Sequence, residues 1–460
     1  MKTPRFLRLL SLLWIAIACA NGSAEEARGP RSRAEAAQST QKMTWRPVSM
    51  NGKSVDSSAE TTDEPDDIDS VSFEYEEYSP AYGEPVYGDQ GCGAEIACGA
   101  EVACDGGFTH PPVCGFWVRA EYLLWALDGI DLPPLVTTSP DGTLPEDTGV
   151  LGQTGTIISY GNESILDSMR SGLRVTLGWA DDSCGNGFEM SGMGIFEDDE
   201  SFQSNADLLA RPVFDTDSGS ETSMLIAHPD FLSGSVNVRA SNQLASFDVS
   251  RRQLLSSRAC QSLSLLFGYR YGNLEEMLRV EQSSVYTAAQ GQIISGTTVD
   301  LFDDFQTKNQ FHGAQLGLHY KQWSAHTTLD TYAKVGLGIN HGETTIAGQT
   351  VNTVPGGGSA TFEGGLLAQT TNIGVYDDTS FMALPEIGLN LTTQVQHNMK
   401  LTIGYSMMYW SDAARLDDAI SRNVSQFPPE TPTGTREPAY EYRTSSFLAH
   451  GLNIGAAFTF

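Results

Sequence analysis

Beyond its first twenty residues this chain has no apolar run of about eighteen residues, so it encodes no transmembrane helix there. That leaves strand-built membrane proteins open, because alternating apolar and polar residues average to a bland hydropathy. Basic residues are scarce too: 27 Lys and Arg stand against 57 Asp and Glu, a formal charge of −30. A nucleic-acid partner needs a basic footprint, so none is expected. Solubility and self-repulsion account for most such acidity. A cation-attracting mouth, or bridging by divalent ions, is the sharper reading.

Catalytic and cofactor signatures are missing as well. No CxxC, CxxCH, HExxH, GxSxG, P-loop or EF-hand pattern occurs. The eight histidines make no site. His312 and His319 are seven apart and point to opposite faces of a strand, while His341, Asp377-Asp378 and Asp417-Asp418 fall in outer connections. No nucleophile, base and orienting group can be assigned by spacing. The chain reads as a non-enzyme, with no cofactor and no metal.

What is present begins with the layout of an export signal over residues 1–20. Lys2, Arg5 and Arg8 are basic, Leu9 to Ala18 is a short apolar stretch, and Ala18-Cys19-Ala20 is a small-residue cleavage site. An alternative takes "AIAC" as a lipoprotein box with Cys19 lipidated. Residues 21–91 read as a disordered acidic linker: twelve acidic residues and no base lie between Asp56 and Asp89. Such a stretch buries too little apolar surface to offset its ordering entropy. It is a candidate tether toward the cell wall or a periplasmic partner. Residues 92–114 form a Cys/Gly-rich segment with the repeat "CGAEIA", "CGAEVA".

From residue 115 to 460 the chain is strand-like throughout. Ten strands are expected near 115–127, 171–181, 186–197, 242–254, 261–280, 306–322, 326–341, 380–396, 399–411 and 449–460. Their connections alternate long and short, with "DDSCGN", "SSRACQ", "QWSA" and "HN" as the short ones. That rhythm suits an all-β, up-and-down antiparallel transmembrane barrel of about 10–12 strands. Its short turns and both chain ends would be periplasmic. The fourth strand is poorly defined, and a further hairpin around "SGSVNVRAS" would raise the count. Pro385 reads as a strand start or bulge, since a closed barrel has no edge to tolerate it.

Mid-strand charges fall on the face opposite the apolar series. Arg119 and Glu121 oppose Phe116, Val118, Ala120 and Tyr122; Arg174 opposes Leu173 and Val175; Arg270 opposes Tyr269 and Tyr271; Lys334 opposes Val335; Glu386 opposes Ile387. A charge facing lipid at mid-depth costs roughly 2–4 kcal/mol, which selects for this pattern. A soluble sandwich also alternates, with its apolar face inward. The export signal, the aromatic-rich apolar faces and the terminal Phe460 favour the barrel, with these six charges lining its interior. Met408 and Trp410 fall on the same interior face, which is therefore not purely polar.

All six cysteines of the exported chain, Cys92, Cys98, Cys104, Cys114, Cys184 and Cys260, fall at the short-turn end. They are candidates for disulfides in an oxidising compartment. Bridges from the N-terminal segment to the barrel base are one arrangement. Local pairing within 92–114, with Cys184 and Cys260 unpaired or joined to each other, is the other.

Four stretches resemble the beta-barrel porin-7 family of bacterial outer-membrane proteins: "FWVRAEYLLWALDGIDLPPLVTTSP" (116–140), "KVGLGINH" (334–341), "LPEIGLNLTTQVQHNMKLTIGYSMMYWSD" (384–412) and "FLAHGLNIGAAFTF" (447–460). The resemblance implies an outer-membrane barrel embedded in lipid, and supplies neither a solute nor catalytic residues. The alternation Leu452, Ile454, Ala456, Phe458, Phe460 also resembles the C-terminal signal read by the barrel-assembly machinery. Ten or twelve strands lie between side-chain-filled eight-stranded barrels and water-filled porins of 16–18. Three functions therefore stand at this point. They are a narrow porin or channel for small solutes, a structural or adhesive barrel with binding loops and no open pore, and a secreted soluble β-sandwich that binds a ligand.

Overall fold

The computed structural model describes residues 102–103, 109–110, 114–181, 185–258, 260–324, 326–396, 398–427 and 436–460. The export signal, the acidic linker, most of the 92–114 segment, Cys92, Cys98, Cys104, Cys184 and the Cys114 side chain lie outside the described residues.

Ten strands form a closed ring. They are β1 (Cys114–Leu127), β2 (Met169–Asp181), β3 (Asn186–Ser204), β4 (Leu232–Arg258), β5 (Gln261–Tyr286), β6 (Thr298–Trp323), β7 (Thr327–Val354), β8 (Gly374–Gln396), β9 (Met399–Ala413) and β10 (Ser445–Thr459). Each pairs antiparallel with the next. β10 pairs with β1, Ile454 opposite Tyr122, and closes the barrel without an edge. Four short turns lie at one end with both ends of the barrel chain, and five long connections lie at the other.

The outer wall is apolar at the turn end. On β5, Leu263, Leu265, Phe267, Tyr269 and Tyr271 point out, and on β9 Leu401, Ile403, Tyr405, Met407 and Tyr409 do so. At ~3.4 Å per residue and a tilt of ~40°, the β5 series spans about 21 Å, close to the hydrocarbon band of a bilayer.

Farther toward the loop end the apolar series changes side. Past Tyr271, Glu275, Arg279 and Glu281 point out of β5, whereas Leu278 and Val280 point in and are fully buried. On β4 the same holds: Val236, Val238 and Ala240 are buried inward while Ser235 and Arg239 point out. β6 and β7 bury Leu301, Phe305 and Ile346 in the same way. β4 to β7 therefore rise beyond the belt as a wall that is wet outside and apolar inside.

Against that inner wall the long connections fold into a cap. Val136–Thr138, Ile157–Tyr160, Leu209–Asp215, Ser220–Ala227 and Asn423–Val424 form a second, five-stranded sheet. Its Leu209, Val213, Ile226 and Val424 pack with Leu278, Val280 and Phe305 of the wall in one apolar core.

Three expectations need correcting. "SGSVNVRAS" is the outer part of β4, not a further hairpin, so the ring has ten strands. Pro385 is neither a strand start nor a bulge: it lies mid-strand, paired in register with Val335. Its tolerance has a physical cause. The β8–β9 ladder begins only at Glu386, so the missing N–H breaks no hydrogen bond to β9. His341, Asp377 and Asp378 sit on β7 and β8 rather than in connections.

Candidate functional site: the barrel lumen

The lumen is built in layers, beginning at the turn end. The first is a polar chamber of about 200 Å³. Trp117 of β1, Trp323 of β6, Lys400 of β9 and Arg252 of β4 are among its lining residues. Deeper, His319 Nε2 and Asp330 Oδ1 are 2.6 Å apart, and Lys321 Nζ is 3.9 Å from Asp330 Oδ2. Lys334 Nζ lies 3.2 Å from Asp248 and 3.6 Å from Glu189.

The chamber ends on an ion-pair layer. Glu386 of β8 takes Arg174 Nη2 at 3.0 Å and Arg270 Nη2 at 2.6 Å, one on each carboxylate oxygen. The Tyr332 hydroxyl donates to Glu386 Oε1 at 2.9 Å and accepts from Arg174 Nη1 at 3.0 Å. Strands β2, β5, β7 and β8 are thus joined across the lumen. Arg119 Nε stands 3.3 Å from the fully buried Glu121. Buried pairs like these add little net stability, since desolvation consumes the Coulombic gain. Their effect is to fix side chains across the interior.

Above lies an apolar plug. Trp125, Phe311, Met408, Trp410 and Phe447 are fully buried and pack with Leu123, Leu274 and Leu384. Space for two of these rings comes from glycines on other strands. A Cβ at Gly272 would stand 2.9 Å from the Trp410 ring, and one at Gly336 would stand 2.9 Å from Phe311. Trp125 Nε1 donates to Asn453 Oδ1 at 2.9 Å, and Asn453 Nδ2 donates to Ser406 Oγ at 2.6 Å, joining plug and ion-pair layer.

The cap is latched over the plug. Arg415 Nε donates to Glu276 Oε1 at 2.9 Å and Oε2 at 3.1 Å, and its Nη2 donates to the Gly129 carbonyl at 2.6 Å. Asn309 pairs its side chain with the backbone of Ala414, at 2.7 and 2.8 Å. Arg211 Nη2 meets Asp303 Oδ2 at 2.7 Å, and Asp303 Oδ1 accepts from the backbone N–H of Leu367 and Ala368.

The six charges singled out by alternation, Arg119, Glu121, Arg174, Arg270, Lys334 and Glu386, all point into this lumen, and three of them share one contact at Glu386. Met408 and Trp410 stand in the plug. Leu452, Ile454, Ala456 and Phe458 face outward on β10, and the Phe460 N–H donates to the Phe116 carbonyl at 2.9 Å. Cys260 is disulfide-bonded. Sequence reasoning missed Tyr332, Glu276, Asp303 and Asn309, although each shares inward parity with residues on its own strand. It also missed Arg211 and Arg415, which sit off the barrel strands' alternation.

The sequence pattern of the family described as Putative beta barrel porin-7 (BBP7) matches residues 117–460. No curated protein matches the chain. Among solved structures it is similar to the outer membrane protease OmpT from Escherichia coli, at 11% identity over 75% of this chain and 97% of that one, TM-score 0.35. A FadL homologue from Pseudomonas aeruginosa matches at 9% identity, over 75% and 90%, TM-score 0.20. The toluene transporter TodX from P. putida matches at 7%, over 75% and 90%, TM-score 0.16. Likenesses at these values say nothing about activity. The family match spans the whole ring and cap described above, and the chain belongs to the BBP7 family of porin-like β-barrels of the bacterial outer membrane.

Proposed function

We propose that this protein is an occluded outer-membrane barrel that works through its folded outer cap, as a surface-exposed structural or binding platform, rather than as an open pore. The observation that carries this reading is the plug: Trp125, Phe311, Trp410 and Phe447 fill the lumen between chamber and cap with no exposed surface. Packed apolar side chains exclude water and ions, and crossing them costs an ion its hydration. Outer-membrane lipid covers the apolar belt, and the cap faces the exterior. The protein is assigned no reaction.

Single-molecule conductance of the purified full chain in a planar bilayer tests this. The expected result is a flat baseline. Reproducible ion-selective steps would overturn it and restore the narrow channel. One observation favours that second reading: the turn-end chamber is polar and leads straight to the ion-pair layer, which is the half-path a gated channel needs.

A further inference from the structure

The ring is closed at belt depth, yet nearer the loop end β8 keeps a free edge. β8 is paired with β7 from Thr393 up to Gly374, but its ladder with β9 stops at Glu386 and Met408. The cause lies in β9, whose end is drawn into the lumen. Asn340 Nδ2 donates to the Asp412 carbonyl at 3.2 Å, and Asn309 holds the Ala414 backbone. Backbone groups of an antiparallel strand alternate in direction, so Val375, Asp377, Thr379, Phe381 and Ala383 turn theirs toward the side that β9 has left. The Ala383 N–H reaches Ser411 Oγ at 3.1 Å; among the described residues the other four have no hydrogen-bond partner there. Tyr376 of β8 packs its ring on Tyr440, 4.7 Å between centroids, so the lumen side is covered and the edge opens outward. A row of unpaired N–H and C=O groups is a template for another strand.

The side chains along the edge select the strand that fits. Val375 and Phe381 are 60% and 72% exposed on the outer face. Between them Asp377 and Asp378 are exposed, and among the described residues no base pairs with either, or with Asp412. Their field reaches Tyr442: burial raises its hydroxyl, and Tyr440, Asp378, Asp412 and Asp377 raise it further, to about 12. Two copies of this edge laid antiparallel would set the Asp377-Asp378 pairs against each other, which is unfavourable. We propose that the β8 edge from Val375 to Phe381 is a docking site for an extended basic segment of a partner protein, added as a further strand. Lysine or arginine of that segment stands opposite Asp377 and Asp378, and apolar side chains stand opposite Val375 and Phe381. This rests on the platform reading and deepens it, by giving the platform a class of partner.

The probe is the fluorescein-labelled peptide Val-Thr-Thr-Lys-Lys-Thr-Val, which in antiparallel register meets Phe381 first and Val375 last. Fluorescence anisotropy with the full chain in detergent should show saturable binding. The same peptide with Glu-Glu in place of Lys-Lys should show none. Thr379→Pro removes a donor from the middle of the edge. Its position has the parity of Pro385, so no hydrogen bond to β7 is lost, and binding should fall roughly tenfold or more. Asp377→Asn together with Asp378→Asn should weaken the lysine peptide by about three- to tenfold. Should Thr379→Pro fail to fold, judged by heat-modifiable migration, the double asparagine variant decides. No saturation at millimolar peptide, equal binding of the Lys and Glu peptides, or unchanged binding in the folded variants overturns the proposal. So does a dimer in detergent that Thr379→Pro dissociates, which would make the occupant a second copy. Conductance steps would overturn the occluded lumen and leave peptide binding standing.

Discussion

Arg211 and Asp303 meet at 2.7 Å where neither side chain reaches water. One comes from the cap sheet and the other from the inner face of β6, so the pair pins cap to wall. Removing one partner of a buried pair strands the other charge. Arg211→Met should cost the cap about 3–5 kcal/mol. Limited proteolysis checks this: cap segments should be cut at lower protease concentration, while heat-modifiable migration of the barrel persists.

Trp410 occupies space that Gly272 leaves vacant. Trp410→Ala would open a cavity beneath the cap and lower stability by about 3–5 kcal/mol, read as a shift in the urea midpoint of lipid-embedded protein. Conductance should stay absent in this variant, because the ion-pair layer and the latched cap still block the lumen.

Leu389 faces outward near mid-belt, opposite Thr331 and Tyr405. Leu389→Arg should destabilise the membrane-embedded barrel by roughly 2–4 kcal/mol. The same residue introduced at exposed Thr361, beyond the belt on the short strand Gly358–Glu363, should change the urea midpoint little.

Asp417 sits in the cap with Oδ1 buried and lacking a hydrogen-bond partner. Burial pushes its carboxyl above the usual range; Arg415 opposes that rise and neighbouring Asp418 adds to it. A folded pKa above the unfolded one of about 3.9 means the folded cap binds the extra proton. Its contribution is therefore full below the unfolded value and is lost as pH rises through the folded one. Protease resistance of the cap should fall across that window. Asp417→Asn should flatten the profile and strengthen the cap at neutral pH.

Phe460 touches the barrel mainly through its backbone, and its ring is exposed. If the terminal aromatic is read during assembly, Phe460→Ala should lower the amount of folded barrel in cells. It should leave the urea midpoint of refolded protein almost unchanged. A matching loss in both would assign Phe460 to stability alone.

The barrel was legible wherever one rule held along a whole strand. For β1, β2 and β9 the alternation of apolar-out and polar-in runs nearly from end to end, and the expected and observed bounds differ by two residues or fewer. β4 to β7 obey that rule only inside the belt. Beyond it the wall needs its apolar residues facing the cap, so the alternation continues with its phase reversed. On β4 a register shift between Asn242 and Leu244 accompanies the change. A reading that seeks one continuous phase stops there, which is why β4 was expected from 242 instead of Leu232. The lumen charges were legible for the same reason as the belt. Arg211 and Arg415 were not, because connections impose no periodicity, and their partners are 92 and 139 residues away.

The unequal lengths of the strands carry a consequence for approach. β5 continues fifteen residues past Tyr271, from 271 to 286, which is about 50 Å of extended chain. Across the ring, β1 ends at Leu127 and β2 begins at Met169, close to the edge of the belt. Among the described residues the barrel thus carries a parapet on one flank. A macromolecule approaching the loop end would meet that parapet from one direction and the cap from the other, so the described strands set a preferred bearing for contact.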